Sequence, residues 1–341
     1  MTPIAWLGVF AGVAAVLTWA GTAGAIAALH KIGGLAAPNQ RSSHVRPTPN
    51  GGGIALVLVV LAAWWIADRY FEDAWGMVAW NVPTVLGSAA ALSILSLLDD
   101  VRGGMSPLVR LGAQTLAVIA GILTLPDTVF QDALPFWVDA AVTLVAWLWF
   151  INLFNFMDGI DGIAGAEVIA ISIGAATIAG LGAMPPIFAL YSMTAAAAAA
   201  GFLLWNWQPA RVFLGDSGSV PLGYLLGWLL LVLAAYGHWQ AALLLPLYFV
   251  ADATVTLVRR LARGEKPWQA HRSHAYQRAA VALGSHAPVV VRIGALNVAL
   301  VALAVLAIRY PESGWIPLVA GFGLTISLLW YFERVAAPAA R

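Results

Sequence analysis

The stretch AAVTLVAWLWFINLFNFMDGIDG, residues 140–162, joins an apolar run to a polar segment. Four polar residues follow the run at every third position: Asn152, Asn155, Asp158 and Asp161. Side chains three apart on an α-helix are offset by about 60°, so a continuous helix would spread them over half its circumference. They converge only if the helix tightens or ends near Gly159 and Gly162. We therefore predict a membrane helix that ends here, and a functional site in preference to a simple polar cap.

The composition indicates a protein of the lipid bilayer. Of 341 residues, 61% are hydrophobic and 10% are charged, whereas soluble domains carry about 25% charged residues. Lys and Arg nearly balance Asp and Glu, 17 against 16, so charge favours no nucleic-acid partner. The chain has no cysteine, which excludes disulfides, thiolate metal sites and a cysteine nucleophile. The first apolar run, from Pro3 to Leu29, is too long for a signal sequence and is predicted to remain as a membrane helix.

Apolar segments of about 20 residues predict the fold class, an all-α polytopic membrane protein with one domain over residues 1–341. Eleven spans are predicted, centred near residues 16, 60, 90, 118, 143, 172, 196, 229, 249, 299 and 323. If the N-terminus lies outside, every Lys and Arg except Arg69 and Arg309 lies inside. Because cytoplasmic loops retain basic residues, this bias predicts an outer N-terminus and a cytoplasmic C-terminus.

This orientation places the polar segments of the chain on one side of the membrane. They lie in the predicted cytoplasmic loops 31–52, 99–108, 152–162, 206–219 and 259–288. The outer loops carry scattered acids without comparable clustering. We therefore expect the five loops to form a single active site.

Three of these loops, 99–108, 152–162 and 206–219, supply carboxylates, and loop 152–162 also supplies amides. Asp99 and Asp100 end the third span, where acids oppose the helix dipole, and Asp216 lies in a glycine-rich turn. Each has a simpler explanation, as interfacial charges or as the N-cap of a helix beginning near Val220. Separated carboxylates suit Mg²⁺, or Mn²⁺, bridged to substrate phosphates. The lone HxxH of the last loop is only a weak zinc signal.

The remaining loops supply cations. SSHVRPTPNGGG, residues 42–53, carries His44, Arg46 and a glycine turn whose N–H groups could contact phosphate. HRSHAYQR, residues 271–278, carries His271, Arg272 and His274. A basic face that binds anionic lipid is the alternative. Opposite a set of carboxylates, these cations favour a phosphorylated substrate, and with the membrane they indicate phosphoryl transfer to or from a lipid.

Five stretches together resemble the polyprenyl-phosphate N-acetylhexosamine-1-phosphate transferases, the superfamily that also contains the phospho-N-acetylmuramoyl-pentapeptide translocase. They occur in the family's order: PNQRSSHVRPTPNGGG, LLDDVRGGMSPLVRLGAQ, NLFNFMDGIDGIAG, RVFLGDSGS and HRSHAYQR. The resemblance implies eleven spans, a bacterial cytoplasmic membrane and an active site on the cytoplasmic face. It also implies that a polyprenyl phosphate, undecaprenyl phosphate in bacteria, attacks the β-phosphorus of a UDP-N-acetylhexosamine and releases UMP.

The resemblance also assigns site residues. Catalytic roles are implied for Asp99, Asp100, Asp158, His271 and His274. Substrate-binding roles are implied for His44, Arg46, Arg102, Asn152, Asn155, Asp161 and Arg272. A metal-ligand role is implied for Asp216, with Mg²⁺ as the cofactor. Asn152, Asn155, Asp158 and Asp161 match the nucleotide side, whereas the last loop matches the part that holds the diphosphate or sugar.

Departures from the translocase favour the branch that starts O-antigen or capsule chains. Gly103 stands where the translocase has a lysine, with Arg102 beside it, and HRSHAYQ replaces a run of three histidines. HRSHAYQ is most similar to enzymes for N-acetylfucosamine or N-acetylquinovosamine phosphate, and N-acetylglucosamine stays open. Trp268 and Tyr276 could form an apolar wall for a 6-deoxy sugar, or could simply anchor the loop. A cation-coupled transporter that uses the membrane-edge carboxylates is the rival function, and the oligomeric state, including a homodimer, is open.

Overall fold

The computed structural model describes residues 3–32, 34–36, 47–71, 81–102, 104–266 and 271–337, although in a few of them, Asp100 and Arg102 included, only the backbone is described. His44, Arg46, Gly103 and Trp268 lie outside the described residues. Within them the chain is almost entirely helical, which confirms the all-α membrane fold. The helices are α1 Pro3–Ile32, α2 Gly53–Phe71, α3 Val82–Arg102, α4 Pro107–Ile122, α5 Phe136–Met157, α6 Ile163–Gly180, α7 Ile187–Asn206, α8 Asp216–Ala235, α9 Trp239–Leu244, α10 Leu247–Ala262, α11 Ala275–Leu283, α12 Ala287–Arg309 and α13 Trp315–Ala336. Strands β1 Leu35–Ala36 and β2 Thr48–Pro49 form one short antiparallel pair.

Nine helices of the described chain are long and apolar enough to cross a membrane. They are α1, α2, α3, α5, α6, α7, α8, α12 and α13. The fourth predicted span is the shorter helix α4. The ninth predicted span is divided into α9 and α10 at Leu245 and Pro246, because proline cannot donate the backbone hydrogen bond of a helix interior. All eleven predicted centres thus fall on helical segments, while the number of crossings and their orientation stay predictions.

Helix α8 forms the centre of the bundle. Almost all of its side chains are buried, and it packs against α3 and α5. Trp147 of α5 stacks on Tyr224 of α8 with ring centroids 4.8 Å apart, and its indole N–H donates to the carbonyl of Tyr224 at 3.0 Å. Because that indole nitrogen is satisfied inside the core, α5 and α8 are held in a fixed register.

The segment 259–288, predicted as a loop, contains regular structure. Helix α10 continues to Ala262, and the nine-residue helix α11 occupies Ala275–Leu283 before α12 begins at Ala287. Helix α11 packs against α13. The prediction of a loop over this segment was therefore wrong in part, because α11 is too short and too polar to register as a span.

Candidate active site

The helix break predicted at the DGIDG segment is confirmed. Helix α5 ends at Met157, Asp158 is its C-cap residue, and α6 begins at Ile163. Gly162 has φ of +82°, a left-handed conformation that L side chains rarely adopt. Because the chain turns here, the four polar residues do not follow one helical spiral, and they divide between two environments.

Asn152 and Asn155 face helices α4 and α8. The side-chain amide of Asn155 donates to Asp216 Oδ1 and to Ser219 Oγ, both at 2.8 Å. The amide of Asn152 donates to Gln114 Oε1 at 2.8 Å. Asn155 thus links the end of α5 to the beginning of α8.

Asp99 and Asp216 share one cation. Arg110 Nη1 lies 3.4 Å from Asp99 Oδ2 and 3.7 Å from Asp216 Oδ2. Asp99 is buried and its other oxygen accepts from the backbone N–H of Met105, whereas the Asp216 side chain is 37% exposed. Helix α8 begins at Asp216, four residues before the predicted Val220, and its N-cap is Gly215. The carboxylate of Asp216 therefore points to Asn155 and Arg110, and the capping explanation is not supported.

A cavity of about 140 Å³ opens at this cluster. Its polar lining consists of Ser96, Arg110, Gln114, Asn152, Asn155 and Asp216. Two of its apolar lining residues, Leu92 and Leu95, also line an adjacent groove of about 530 Å³ between α3 and α4. The polar cavity therefore continues into an apolar groove.

Asp158 lies at the end of α5 beside this cluster. Burial raises the pKa of its carboxyl to about 7, and the negative charges of Asp216 and Asp161 act in the same direction. Its backbone N–H donates to the carbonyl of Asn155 at 3.3 Å. The structure therefore brings Asp158, Asn155 and Asp216 together.

Asp161 lies on the other side of the turn. It is 9% exposed, and its Oδ2 accepts from the backbone N–H of Ala210 at 3.0 Å and lies 3.4 Å from His286 Nδ1. It is not among the residues that line the described cavity. Its predicted contact with the nucleotide stays a prediction, while its visible role is to join the DGIDG turn to the loop before α8.

The glycine turn at residues 50–53 is not a phosphate cradle. The N–H groups of Gly51 and Gly52 donate to the carbonyl of Phe213 at 3.2 and 3.0 Å, and that of Gly53 donates to Leu214 at 3.0 Å. These donors hold the turn against the loop that carries Asp216. The prediction that they contact phosphate was wrong, because the close backbone pairing uses them within the protein.

The last loop places its histidines near the end of α10. His271 Nδ1 lies 2.8 Å from Ser273 Oγ, and its ring lies 4.9 Å from that of His274. His274 is 3% exposed. Its predicted catalytic role stays a prediction. Burial, with the positive charges of His274 and Arg260, lowers the pKa of His271 to about 4, so His271 is neutral near pH 7.

Tyr276 does not form the wall of an open sugar pocket. It is fully buried, and its hydroxyl donates to the carbonyl of Phe156 at 3.1 Å. The alternative, in which this residue anchors the loop, is the one that the structure supports. Burial also raises the pKa of this phenol well above its usual range.

Sequence reasoning missed three residues of this region. Arg110 and Gln114 stand four apart on α4 and so share one face, a spacing that could have marked them. Asp252, buried in α10, had no comparable signal because it lies inside an apolar span.

No group of three or more His, Asp or Glu side chains within the described residues is arranged to hold a metal ion. The cavity is nevertheless lined by the carboxylate of Asp216 and by the side-chain amides of Gln114, Asn152 and Asn155, whose oxygens are ligands that a hard divalent cation takes.

The chain is similar to known transferases. The family model for glycosyl transferase family 4 matches residues 82–234. The decaprenyl-phosphate N-acetylglucosaminephosphotransferase of Mycobacterium leprae is 30% identical over 82% of this chain and 78% of its own length. A probable undecaprenyl-phosphate N-acetylglucosaminyl 1-phosphate transferase of Bacillus subtilis is 27% identical over 73% of this chain and 70% of its own.

A second branch of the superfamily is also similar to this chain. A phospho-N-acetylmuramoyl-pentapeptide-transferase of Mycobacterium sp. (strain JLS) is 29% identical over 64% of this chain and 71% of its own. These similarities favour an enzyme over the rival transporter. The protein belongs to glycosyl transferase family 4 and is a membrane sugar-phosphate transferase.

Proposed function

We propose that the protein transfers an N-acetylhexosamine 1-phosphate from a UDP-sugar to a polyprenyl phosphate and releases UMP. The observation that carries this proposal is the cluster of Asp99, Arg110 and Asp216 at a cavity that continues into an apolar groove. A lipid phosphate needs a polar site for its head and an apolar path for its tail, and this arrangement supplies both. The names of the relatives agree with this substrate class.

The reaction exchanges one phosphorus–oxygen bond for another. An oxygen of the lipid phosphate attacks the β-phosphorus of the UDP-sugar, the bond from that phosphorus to the bridging oxygen breaks, and UMP leaves with the electron pair. Catalysis of this kind depends on position and on neutralising charge. Arg110 supplies a cation at the cavity, and Asn152 and Asn155 supply amides that orient the groups around it.

Mg²⁺, or Mn²⁺, is the proposed cofactor. Asp216 would hold it, with Asp99 as a second carboxylate, since Oδ2 of Asp99 and Oδ2 of Asp216 lie 3.4 and 3.7 Å from the same atom, Arg110 Nη1. When bound, the ion would neutralise negative charge on the diphosphate of the donor.

The other predicted site residues keep the roles proposed for them. Asp158 and Asp100 act beside the metal ligands, and Arg102 and Asp161 contact substrate. His271, Arg272 and His274 hold the diphosphate or the sugar. His44 and Arg46 stay proposed as substrate-binding residues. Asp158 has the strongest structural support in this set, because its backbone N–H donates to the carbonyl of Asn155, whose side-chain amide donates to Asp216.

The groove between α3 and α4 is the proposed path of the polyprenyl tail. It is lined by small or apolar residues: Thr84, Gly87, Ser88, Ala91, Leu92, Leu95, Ala113, Leu116 and Ala117. Its continuity with the polar cavity through Leu92 and Leu95 supports this occupant. The tail of a membrane lipid is already out of water, so the groove would hold it by van der Waals contact and shape.

The sugar and the pathway are proposed from the motif HRSHAYQ. Its similarity to transferases for 6-deoxy sugars supports a preference for UDP-N-acetylfucosamine or UDP-N-acetylquinovosamine, used to start an O-antigen or capsule chain. The relatives are named for N-acetylglucosamine. A panel of UDP-N-acetylhexosamines decides between them, and equal or faster turnover of UDP-N-acetylglucosamine would refute the 6-deoxy preference.

The proposed location is the cytoplasmic membrane of a bacterium, with the active site facing the cytoplasm. The distribution of Lys and Arg supports this orientation. Reporter fusions after residue 180 and after residue 262 would test it, since the first position should be outside and the second inside.

The decisive experiment is an assay of UMP release. Membranes that contain the protein are incubated with undecaprenyl phosphate and each UDP-sugar, and UMP and the lipid-linked product are measured. Release that depends on both substrates is the expected result. Ion flux without UMP release would overturn the proposal.

A further inference from the structure

Asp252 is a buried carboxylate that the proposed chemistry does not use. It is 1% exposed in helix α10 and does not line the cavity at Asp216. Four donors converge on it. They are the hydroxyl of Tyr248 at 3.0 Å, the hydroxyl of Thr256 at 3.2 Å, and the backbone N–H groups of Ala275 and Tyr276 at 3.0 and 3.2 Å.

These contacts make Asp252 the cap of another helix. Ala275 and Tyr276 are the first two residues of α11, whose N-terminal N–H groups have no partner inside the helix. The N-cap residue His274 forms no side-chain cap bond within the described chain. Asp252 therefore supplies from α10 the acceptor that a cap residue normally supplies, and its negative charge complements the positive end of the α11 dipole.

Helix α11 is tied at the same point to the candidate active site. The hydroxyl of Tyr276 donates to the carbonyl of Phe156, two residues before Asp158. A Cβ at Gly159 would collide with the Tyr276 hydroxyl, so the two segments are in direct contact. The bonds to Asp252 and to Phe156 thus clamp the start of α11 at two points.

The HRSH segment ends where α11 begins, so its position depends on this clamp. His274 Nδ1 lies 3.5 Å from Asp252 Oδ1, and the His274 ring lies between those of His271 and Tyr276, at 4.9 and 5.6 Å. A shift of the α11 start would displace His274 directly and His271 through their ring contact.

We propose that Asp252 is a positioning residue of the transferase, which fixes the start of α11 and thereby holds His271 and Arg272 where the donor diphosphate or sugar binds. The inference rests on the proposed function, and it adds a residue that does not itself touch substrate. Its consequence is selective, because the clamp reaches the donor side and leaves the groove between α3 and α4 unchanged.

The test uses full-length protein in detergent, with Asp252→Asn and Asp252→Ala. We expect kcat/KM for the UDP-sugar to fall by about tenfold to a hundredfold, more for Ala than for Asn, because a charge-assisted acceptor is lost. The KM for undecaprenyl phosphate should change by less than about twofold. Glu167→Gln is the matched control, since Glu167 is equally buried but bonds Asn297 between α6 and α12. It should keep the wild-type kinetics.

Tyr276→Phe provides a second measurement if the Asp252 variants do not fold. It removes only the hydroxyl that contacts Phe156 and should produce the same donor-selective loss with a smaller magnitude. Wild-type kinetics in Asp252→Asn, or in Tyr276→Phe when only that variant folds, would overturn the inference, as would an equal loss for both substrates. If the wild-type protein releases no UMP with any donor, the proposed function fails instead.

Discussion

The side-chain amide of Asn155 donates to Asp216 Oδ1 at 2.8 Å, and this bond joins the end of α5 to the first residue of α8. It fixes the orientation of the carboxylate, whose other oxygen faces Arg110 at 3.7 Å. The second bond of Asn155, to Ser219 Oγ, fixes the amide in turn. A partly exposed carboxylate is thus held in one orientation at the mouth of the cavity, as a metal or phosphate site requires.

The first prediction concerns the metal. Asp216→Asn retains size and removes charge, so kcat should fall by about a hundredfold or more while the protein stays folded. EDTA should abolish wild-type activity, and Mg²⁺ should restore it. UMP release measures the activity, and thermal unfolding in detergent measures the fold. Glu312→Gln, an exposed acid at a distance from the cavity, is the control. Full activity in EDTA would rule out the metal role.

The second prediction compares Asn155, whose amide donates to Asp216, with Asp161, which accepts from Ala210 on the other side of the DGIDG turn. Asn155→Ala should reduce kcat/KM for the UDP-sugar by about tenfold to a hundredfold, because Asp216 loses its orienting donor. Asp161→Asn should reduce kcat/KM for the UDP-sugar by a smaller factor, and it should also lower the free energy of unfolding, by about 1–3 kcal/mol, because a buried acceptor of Ala210 is weakened. Kinetics and chemical unfolding of both variants check this difference. A larger kinetic loss in Asp161→Asn than in Asn155→Ala would contradict it.

The sequence predicts the features that depend on local pattern. Apolar length locates the helices, and the spacing of Asn152, Asn155 and Asp158 together with Gly159 and Gly162 locates the end of α5. These signals are reliable because each depends on the neighbouring residues alone. The family motifs add the expectation that Asp99 and Asp216 meet, and they do so through Arg110.

The features that the sequence does not predict depend on contacts between residues that are far apart in the chain. The glycine turn at residues 50–53 offers N–H groups to any acceptor, and only the fold shows that Phe213 and Leu214 take them. From the sequence, Tyr276 is an aromatic residue of a polar loop, and only the fold shows that it is buried in α11 with its hydroxyl bonded to the carbonyl of Phe156. Asp252 is a single acid in an apolar segment, and its four donors come from both sides of a loop.

The third prediction concerns Arg110. Arg110→Gln should lower kcat/KM by about tenfold to a hundredfold, because the cavity loses its cation for phosphate. It should also lower the Mg²⁺ concentration needed for half-maximal activity, since Asp99 and Asp216 no longer share their oxygens with a guanidinium. Arg292→Gln is the control, because Arg292 is exposed and bonds the carbonyl of Pro288 on its own helix. A higher Mg²⁺ requirement in Arg110→Gln would contradict this arrangement.

The fourth prediction concerns the pH dependence of stability. Burial raises the pKa of Asp158 from 3.8 to about 7, so the folded state holds its proton more tightly than the unfolded state does. This group therefore costs stability progressively as pH rises from about 4 to about 7, and the cost is complete above that range. Asp158→Asn should be inactive but more stable than wild type at about pH 8, with little difference at about pH 4. Thermal unfolding in EDTA at both pH values tests this, and an advantage that is largest at the lower pH would contradict it.

The last prediction concerns the lipid tail. A Cβ built at Gly87, in the groove between α3 and α4, meets no described atom within 4 Å, so the side chain of Gly87→Leu can start into the groove without a clash at Cβ. The filled groove loses van der Waals contact with the tail, and the KM for undecaprenyl phosphate should rise by about tenfold. A short-chain prenyl phosphate, which does not extend along the groove, should be used equally well by the wild type and by Gly87→Leu, so the variant should lose the preference for long chains.

Gly112→Leu is the matched control, since Gly112 is exposed on α4, has the same open space and does not line the groove. The KM for the UDP-sugar should stay unchanged in both variants. If Gly112→Leu raises the lipid KM as much as Gly87→Leu, the tail does not follow this groove.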